Sequence, residues 1–225
     1  MSDIVVADLI RVYRMGKLEV IALRGLDATF PGGKVTWLRG PSGCGKTTLL
    51  NVVGGVDRPT AGSITIDGTN LSHLSDTELV AYRRDTVGFV FQFFNLVPVL
   101  TAAENVELPM RLAGTRGKDR GARVKELLKA VGLGGKADRR PDELSGGEQQ
   151  RIAVAVALAN DPPILLADEP TGELDSENAV TVLDLFRMAS RERKKTVLVV
   201  SHDPHASAIA DLTVDMADGR IVPHG

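Results

Sequence analysis

The sequence predicts an α/β fold: a mostly parallel sheet with helices on both faces, an antiparallel β subdomain, and an inserted helical subdomain. Three observations predict it. Apolar runs at Val35-Thr36-Trp37-Leu38, Pro163-Ile164-Leu165-Leu166-Ala167 and Thr196-Val197-Leu198-Val199-Val200 are separated by helical stretches. Strands buried on both faces read this way, and a parallel sheet needs them. Residues 4–30 read as largely extended, and the texture changes from Phe93 onward, where loops and amphipathic helices replace strands. One domain is expected over residues 1–225, with its core at about 1–92 and 160–225 and the helical insertion at about 93–159.

The elements follow in order. Ile4-Val5-Val6-Ala7 and Ala22–Phe30 are extended, and Pro31-Gly32-Gly33 turns the chain into the Val35 strand. Thr47–Val53 reads as a helix. Ser63-Ile64-Thr65-Ile66-Asp67-Gly68 alternates and ends in an Asp-Gly turn, the signal of a half-buried strand. Ser75-Asp76-Thr77-Glu78 is a capping box opening a helix through Arg84. Val87–Phe91 is a strand whose end carries Gln92. Asn95–Pro109 mixes loop and helix, and basic, glycine-rich Gly114–Gly121 reads as an exposed connection. Val124, Leu127, Leu128 and Val131 repeat at helical spacing and stop at Gly132. Gln149–Ala159 is a small-residue helix. A further helix over 176–190 buries Val182, Leu185, Phe186 and Ala189, and Thr213–Met216 with Arg220–Val222 closes the chain as a hairpin about Asp218-Gly219.

Bulk properties exclude several classes. The 225 residues are 43% hydrophobic and 25% charged, as in an ordinary soluble domain. A net charge of −2 gives no footprint for nucleic acid. Cys44 is the only cysteine, so no internal disulfide or thiolate cluster is expected. Met1–Asp8 lacks the features of a secretory signal, and no apolar run reaches the roughly 20 residues of a membrane helix. Any membrane role must come through a partner.

The chemistry centres on Gly40-Pro41-Ser42-Gly43-Cys44-Gly45-Lys46-Thr47-Thr48, which fits the phosphate-binding loop pattern G-x-x-x-x-G-K-[ST]. Its glycines let backbone amides turn inward around an anion. Lys46 supplies a point charge for the β- and γ-phosphates, and the Thr47 hydroxyl is placed to ligate Mg²⁺. The following helix adds the positive end of its dipole. A strand before the loop and a helix after it are the setting the motif requires.

Ligands of a parallel sheet sit at the carboxyl ends of its strands. Besides the loop, the polar groups expected there are Gln92, Asp168-Glu169 and His202. Two carboxylates directly after an apolar strand suit phosphoryl transfer to water: Asp168 toward Mg²⁺ through its water shell, and Glu169 as general base. Gln92 and His202 are expected to orient the water, the metal and the γ-phosphate.

Leu144-Ser145-Gly146-Gly147-Glu148-Gln149-Gln150-Arg151 resembles the signature sequence of ABC-type ATPases, whose core is a P-loop (RecA-like) sheet. Physically it is a second anion site, with the Ser145 hydroxyl and the Gly146 and Gly147 amides at a helix N-terminus and Glu148 beside them. The resemblance spans essentially the whole chain. It implies ATP and Mg²⁺ as ligands, Tyr13 as the adenine-stacking aromatic, Gln92 as a residue facing Mg²⁺, Glu169 as base, His202 as switch histidine, and Asp175 as the acid preceding the next helix. It also implies a head-to-tail dimer of two copies, in which one copy's signature covers the other's ATP. A separate transmembrane permease would hold that dimer at the cytoplasmic face of the membrane.

Phe89–Pro98 and Leu100–Pro109 further resemble the lipoprotein-releasing and macrolide-export branch. An ATP-driven switch controlling a membrane-bound partner, such as a cell-wall hydrolase, is the alternative. Nucleic acid is not an expected partner, because the chain lacks the coiled-coil insertion of DNA-acting relatives and the tandem duplication of ribosomal ones. Cys44 stands where Ser is more usual, Val156 where Arg is usual, and Glu173 where Asn is common. An extra carboxylate at Glu173 is expected to weaken contacts across the dimer. The surface around Gln92–Pro109, with Phe93, Phe94, Leu96 and Val99, is expected to dock the permease.

Overall fold

The computed structural model describes residues 2–16 and 18–223. Strands β1 (Ile4–Met15), β2 (Leu18–Phe30), β4 (Ala61–Ile66) and β5 (Thr69–Asn70) form an antiparallel sheet in the order β2-β1-β4-β5. The second sheet has six strands. They are β3 (Val35–Arg39), β6 (Val87–Val90), β7 (Ile164–Asp168), β8 (Thr196–Val200), β9 (Leu212–Ala217) and β10 (Arg220–Val222). Their order is β10-β9-β3-β8-β7-β6, parallel throughout except for the terminal β9–β10 hairpin. The hairpin turns at Asp218 and Gly219, both at positive φ, as an Asp-Gly hairpin turn requires. Strand β9 also pairs with β3, a long-range contact that its turn chemistry does not announce.

The central strands feed two cores because successive side chains point to opposite faces. Leu165, Ala167, Val197 and Val199 join the core beneath the helical layer, with Val106, Leu127, Ile152 and Phe186. Ile164, Leu166, Leu198 and Val200 join the core shared with the antiparallel sheet and helix α1 (Lys46–Val53), with Phe30, Leu49 and Leu50. Each fully buried large apolar side chain contributes roughly 1.5–3 kcal/mol, so an alternating central strand draws stability from both sides at once.

The helices are α1, α2 (Asp76–Asp85), α3 (Ala102–Leu112), α4 (Gly117–Ala130), α5 (Gly146–Ala157) and α6 (Ser176–Arg193). Capping boxes start α2 at Ser75, α3 at Thr101 and α5 at Ser145. Helix α4 begins inside Gly114–Gly121, which the sequence reads as a connection; its first turns are helical despite Gly117 and Gly121. Arg120 explains part of this, since it pairs with Glu107 of α3 at 2.7 Å and ties the two helices together. Helix α6 runs to Arg193, and Leu183 is buried where Leu185 was expected to be.

The sequence does not show the role of Asn105. It is buried on α3, where its Oδ1 accepts from the Val97 amide at 2.7 Å. Its Nδ2 lies within hydrogen-bonding distance of the carbonyls of Val97, Leu100 and Thr101. This one side chain fixes the loop that leads from Gln92 into the helices. Asn105→Ala removes the side-chain partner of the Val97 amide and the Leu100 carbonyl, whereas the Val97 and Thr101 carbonyls keep backbone donors, a cost of about 1–3 kcal/mol. The thermal midpoint should fall by roughly 2–4 °C per kcal/mol for a chain of this size, read by circular dichroism, and limited proteolysis should first cut between Phe93 and Thr101.

Candidate nucleotide site

The loop between β3 and α1 opens a cleft of about 570 Å³ at the carboxyl ends of the parallel strands. Gly45 sits at φ +104°, and a Cβ there would lie 2.5 Å from the Ala22 carbonyl oxygen, so only glycine passes. Lys46 is buried at the start of α1, and its Nζ donates to the Gly40 and Pro41 carbonyls at 2.8 and 2.9 Å. An unpaired buried ammonium would be costly, so these carbonyls hold the charge at the mouth of the loop. The Thr47 hydroxyl donates to Asp168 Oδ1 at 3.2 Å, bridging α1 to the end of β7.

Burial raises the carboxyls of both Asp168 and Glu169 above their ordinary range. The Thr47 hydrogen bond and the charge of Lys46 pull Asp168 the other way but do not overcome desolvation. For Glu169 the opposing influences are the His202 amide, the His202 ring and Lys46. The Glu169 backbone is at φ +48°, a left-handed conformation uncommon outside glycine. Its Oε2 accepts from the His202 amide at 3.1 Å, and its Oε1 lies 3.4 Å from His202 Nε2. A carboxyl raised by burial, beside a half-exposed imidazole, can exchange a proton with a group in the cleft.

The structure brings Lys46, Thr47, Gln92, Asp168, Glu169 and His202 to one cleft, with Ser42, Gly43 and Thr48 from the loop. It does not bring every predicted residue there. Tyr13 is outside the lining; Arg11 lies over its ring at 4.5 Å and its hydroxyl donates to Asp57 at 2.7 Å. Val20, across the β1–β2 ladder from Tyr13, and Ile21 form the apolar end of the cleft instead. Ser145, Gly146, Gly147 and Glu148 also lie outside it. Ser145 caps α5, and Glu148 reaches back to the Ser145 amide at 3.1 Å while pairing with Lys136. The Lys136 ammonium, then the Ser145 amide, hold Glu148 below the usual carboxylate range. Asp175 caps α6, and the Asn178 amide and side chain keep its carboxyl low.

Cys44 is buried within the core under the loop, 3.8 Å from Lys46 Nζ. It is a small packed residue with its thiol out of solvent. Two further residues were illegible as site residues. Gln150 is fully buried in α5 and donates to the Phe91 carbonyl at 3.1 Å, joining the signature helix to the residue before Gln92. Lys136 contacts Glu148 from a short turn 12 residues away. Gln150 lies within the signature and Lys136 outside it, but neither contact has a local signal, because both are tertiary.

Mg²⁺ keeps several waters and takes few protein oxygens, completing its shell with substrate phosphates. Thr47, Asp168 and Gln92 suit that demand, and no cluster of three or more His, Cys, Asp or Glu able to hold a metal by itself occurs among the described residues.

The family model of the ABC transporter matches residues 23–172. The chain belongs to the ABC transporter family, as an ATP-binding, ATP-hydrolysing domain. It is 48% identical to an uncharacterized ABC transporter ATP-binding protein of Thermotoga maritima, over 95% of this chain and 91% of that one. It is 46% identical to the lipoprotein-releasing system ATP-binding protein LolD of Bacteroides fragilis, over 92% and 95%. Among solved structures it resembles a dimeric post-hydrolysis state of the ATP-binding cassette MJ0796 bound to ADP and Pi, with a TM-score of 0.90, 41% identity, and coverage of 98% and 97%. The fold expected from the sequence is therefore the fold of this family.

Because Glu169 is raised by burial, its ionisation weighs against the folded state. That cost is absent below the unfolded value of about 4.3 and complete above the folded one. Glu169→Gln should therefore raise the thermal midpoint at pH 7, with the gain vanishing below about pH 4. Calorimetry across this range checks the sign.

Proposed function

We propose that this ATPase works as a head-to-tail pair of identical chains that drives a separate membrane permease, of the lipoprotein-release or macrolide-export type. The observation that carries the pairing is the placement of Ser145–Glu148: a capped helix start with anion-binding amides that faces no phosphate loop within its own chain. A second copy supplies the missing loop. The dimeric state of MJ0796 supports this reading. Residues 1–225 act as one unit, the insertion at about 93–159 carrying the signature toward the partner.

Each residue then has a stated task. The loop amides from Gly40 to Thr48 and the ammonium of Lys46 bind the phosphates. Thr47, Asp168 and Gln92 hold Mg²⁺, which when bound offsets charge on the phosphate oxygens. Glu169 accepts a proton from the attacking water, and His202 beside it orients the γ-phosphate. Val20 and Ile21 receive the base, with Tyr13 adjoining them. Ser145, Gly146 and Gly147 cover the γ-phosphate from the second copy, and Asp175 lies at the joint between copies.

The permease needs a docking face. An apolar cleft of about 540 Å³ lies between α2, β6, α3 and α5, lined by Val80, Phe89, Pro109, Leu112 and Val156. Val156, where Arg is usual, adds to its apolar wall, while Arg83, Arg84 and Asn160 line its polar part. Nearby Phe93 and Val99 are 70% and 73% exposed, whereas Phe94 and Leu96 are half-buried, so only part of the expected patch is free. No helix among the described residues is long and apolar enough to cross a membrane, which fits attachment through another chain. The branch assignment is supported by LolD proteins at 42–46% identity.

Leu112→Glu should leave the fold and the isolated chain's ATP hydrolysis intact while abolishing co-purification with a co-expressed permease partner. Loss of folding would place Leu112 in the packing instead.

Glu169→Gln should reduce hydrolysis by about 10²–10⁴ while MgATP still binds, so that an ATP-bound dimer accumulates on size-exclusion chromatography. Lys46→Ala should stay monomeric under the same conditions. Near wild-type hydrolysis by Glu169→Gln would remove Glu169 from the role of base.

A further inference from the structure

Glu173 bonds to the catalytic cleft from within its own chain. Gln92 Nε2 donates to Glu173 Oε1 at 3.1 Å. The chain carrying Glu173 is held on both sides. The Gly172 amide donates back to the Glu169 carbonyl and the Leu174 amide to the Thr171 carbonyl, both at 3.1 Å. Leu174 packs on the helical core, and Asp175 then caps α6. Gly172 lies flat against the glutamine: a Cβ there would stand 3.2 Å from Nε2 and 3.5 Å from Cδ. Gln92 is thus pressed from one side and hydrogen-bonded at its amide nitrogen.

The two ends of an amide differ chemically, and this decides what Gln92 can do. A carboxylate accepts hydrogen bonds and cannot donate, so Glu173 selects the NH₂ end. The Oε1 end has no protein donor among the described residues and belongs to a side chain that lines the cleft. Mg²⁺ takes oxygen ligands, so an amide turned the other way would offer it nothing. Groups behind a metal ligand commonly fix its orientation and tune its affinity.

We propose that Glu173 is a positioning residue for Gln92, accepting from Nε2 so that Oε1 is the end offered to the Mg²⁺ of bound MgATP. The inference rests on the reading of Gln92 as a metal-facing residue given above. It also replaces the expected effect of Glu173 on contacts between copies with an effect inside one copy.

The test titrates Mn²⁺, as a spectroscopic stand-in for Mg²⁺, into the full-length protein saturated with a non-hydrolysable ATP analogue, and follows the bound ion by electron paramagnetic resonance. Gln92→Ala should weaken the ion's affinity. Glu173→Ala should weaken it about 10-fold or more. Glu173→Gln can donate as well as accept, so it no longer selects the NH₂ end of Gln92 and should also weaken the ion. In the Gln92→Ala background, Glu173→Ala should add nothing, as expected of residues acting through one contact. Circular dichroism melts confirm that each variant folds, and Glu173 is exposed enough for the substitutions to be accommodated. If Gln92→Ala weakens the ion but Glu173→Ala does not, the positioning role falls while Gln92 keeps its own. If Glu173→Ala weakens the ion as much in the Gln92→Ala background as in the wild type, the carboxylate acts by charge rather than through Gln92 and the inference is overturned. If Gln92→Ala changes nothing, Gln92 does not face the metal and both readings fall.

Discussion

The parallel register of four neighbouring strands is the constraint on which the rest of the structure depends. Leu38 of β3 pairs with Val200 of β8, Val200 with Asp168 of β7, and the adjacent Ala167 with Val90 of β6. The ends of these strands therefore stand in a row. The phosphate loop, His202, Asp168-Glu169 and Gln92 all begin within two residues of that row. A slip of one residue in any strand would turn its whole side-chain pattern over and move its polar end away from the others. The slip is opposed by two cores at once, since each central strand buries alternate residues on both faces.

Electrostatics then follow from where the row sits. The strand ends emerge from a buried sheet, so Asp168 and Glu169 lose part of their hydration and their carboxyls shift upward. Lys46, buried beside them, is the opposite charge that both feel, yet it does not outweigh desolvation for either. The cleft consequently holds two carboxylates and an ammonium in a state that gains from an arriving cation and phosphate anion. Site and stability are in tension here: the same burial that raises the Glu169 carboxyl makes its charge a cost to the fold.

The helical layer solves a different problem. Its polar anchors are local at the starts of α3 and α5, where Thr101 and Ser145 cap, and distant in between, where Asn105, Gln150 and Lys136 act. Gln150 connects the signature helix to Phe91, and Glu173 connects the turn after Glu169 to Gln92. The segment around Gln92 is thus held by both the helical layer and the catalytic turn. A shift in either changes where its amide stands.

Much of this was legible in the sequence, for physical reasons that are local. The phosphate loop needs glycines and a lysine at fixed spacing, a buried parallel strand needs an unbroken apolar run, and a capped helix needs a short side chain with an oxygen acceptor at its start. Those demands determined the α/β class, the loop, the acidic pair at Asp168-Glu169 and the signature at Ser145–Glu148. The pairing of β9 with β3, the helical start at Gly117 and the burial of Cys44 depended on residues far away in the chain. So did the partners of Tyr13, whose ring lies under Arg11 and whose hydroxyl reaches Asp57. Glu173 shows the division most clearly. The sequence alone marks it as an unusual carboxylate near the acidic pair, but only the tertiary structure brings it to Gln92, because residues 81 apart meet through sheet register and turn geometry rather than through any local pattern.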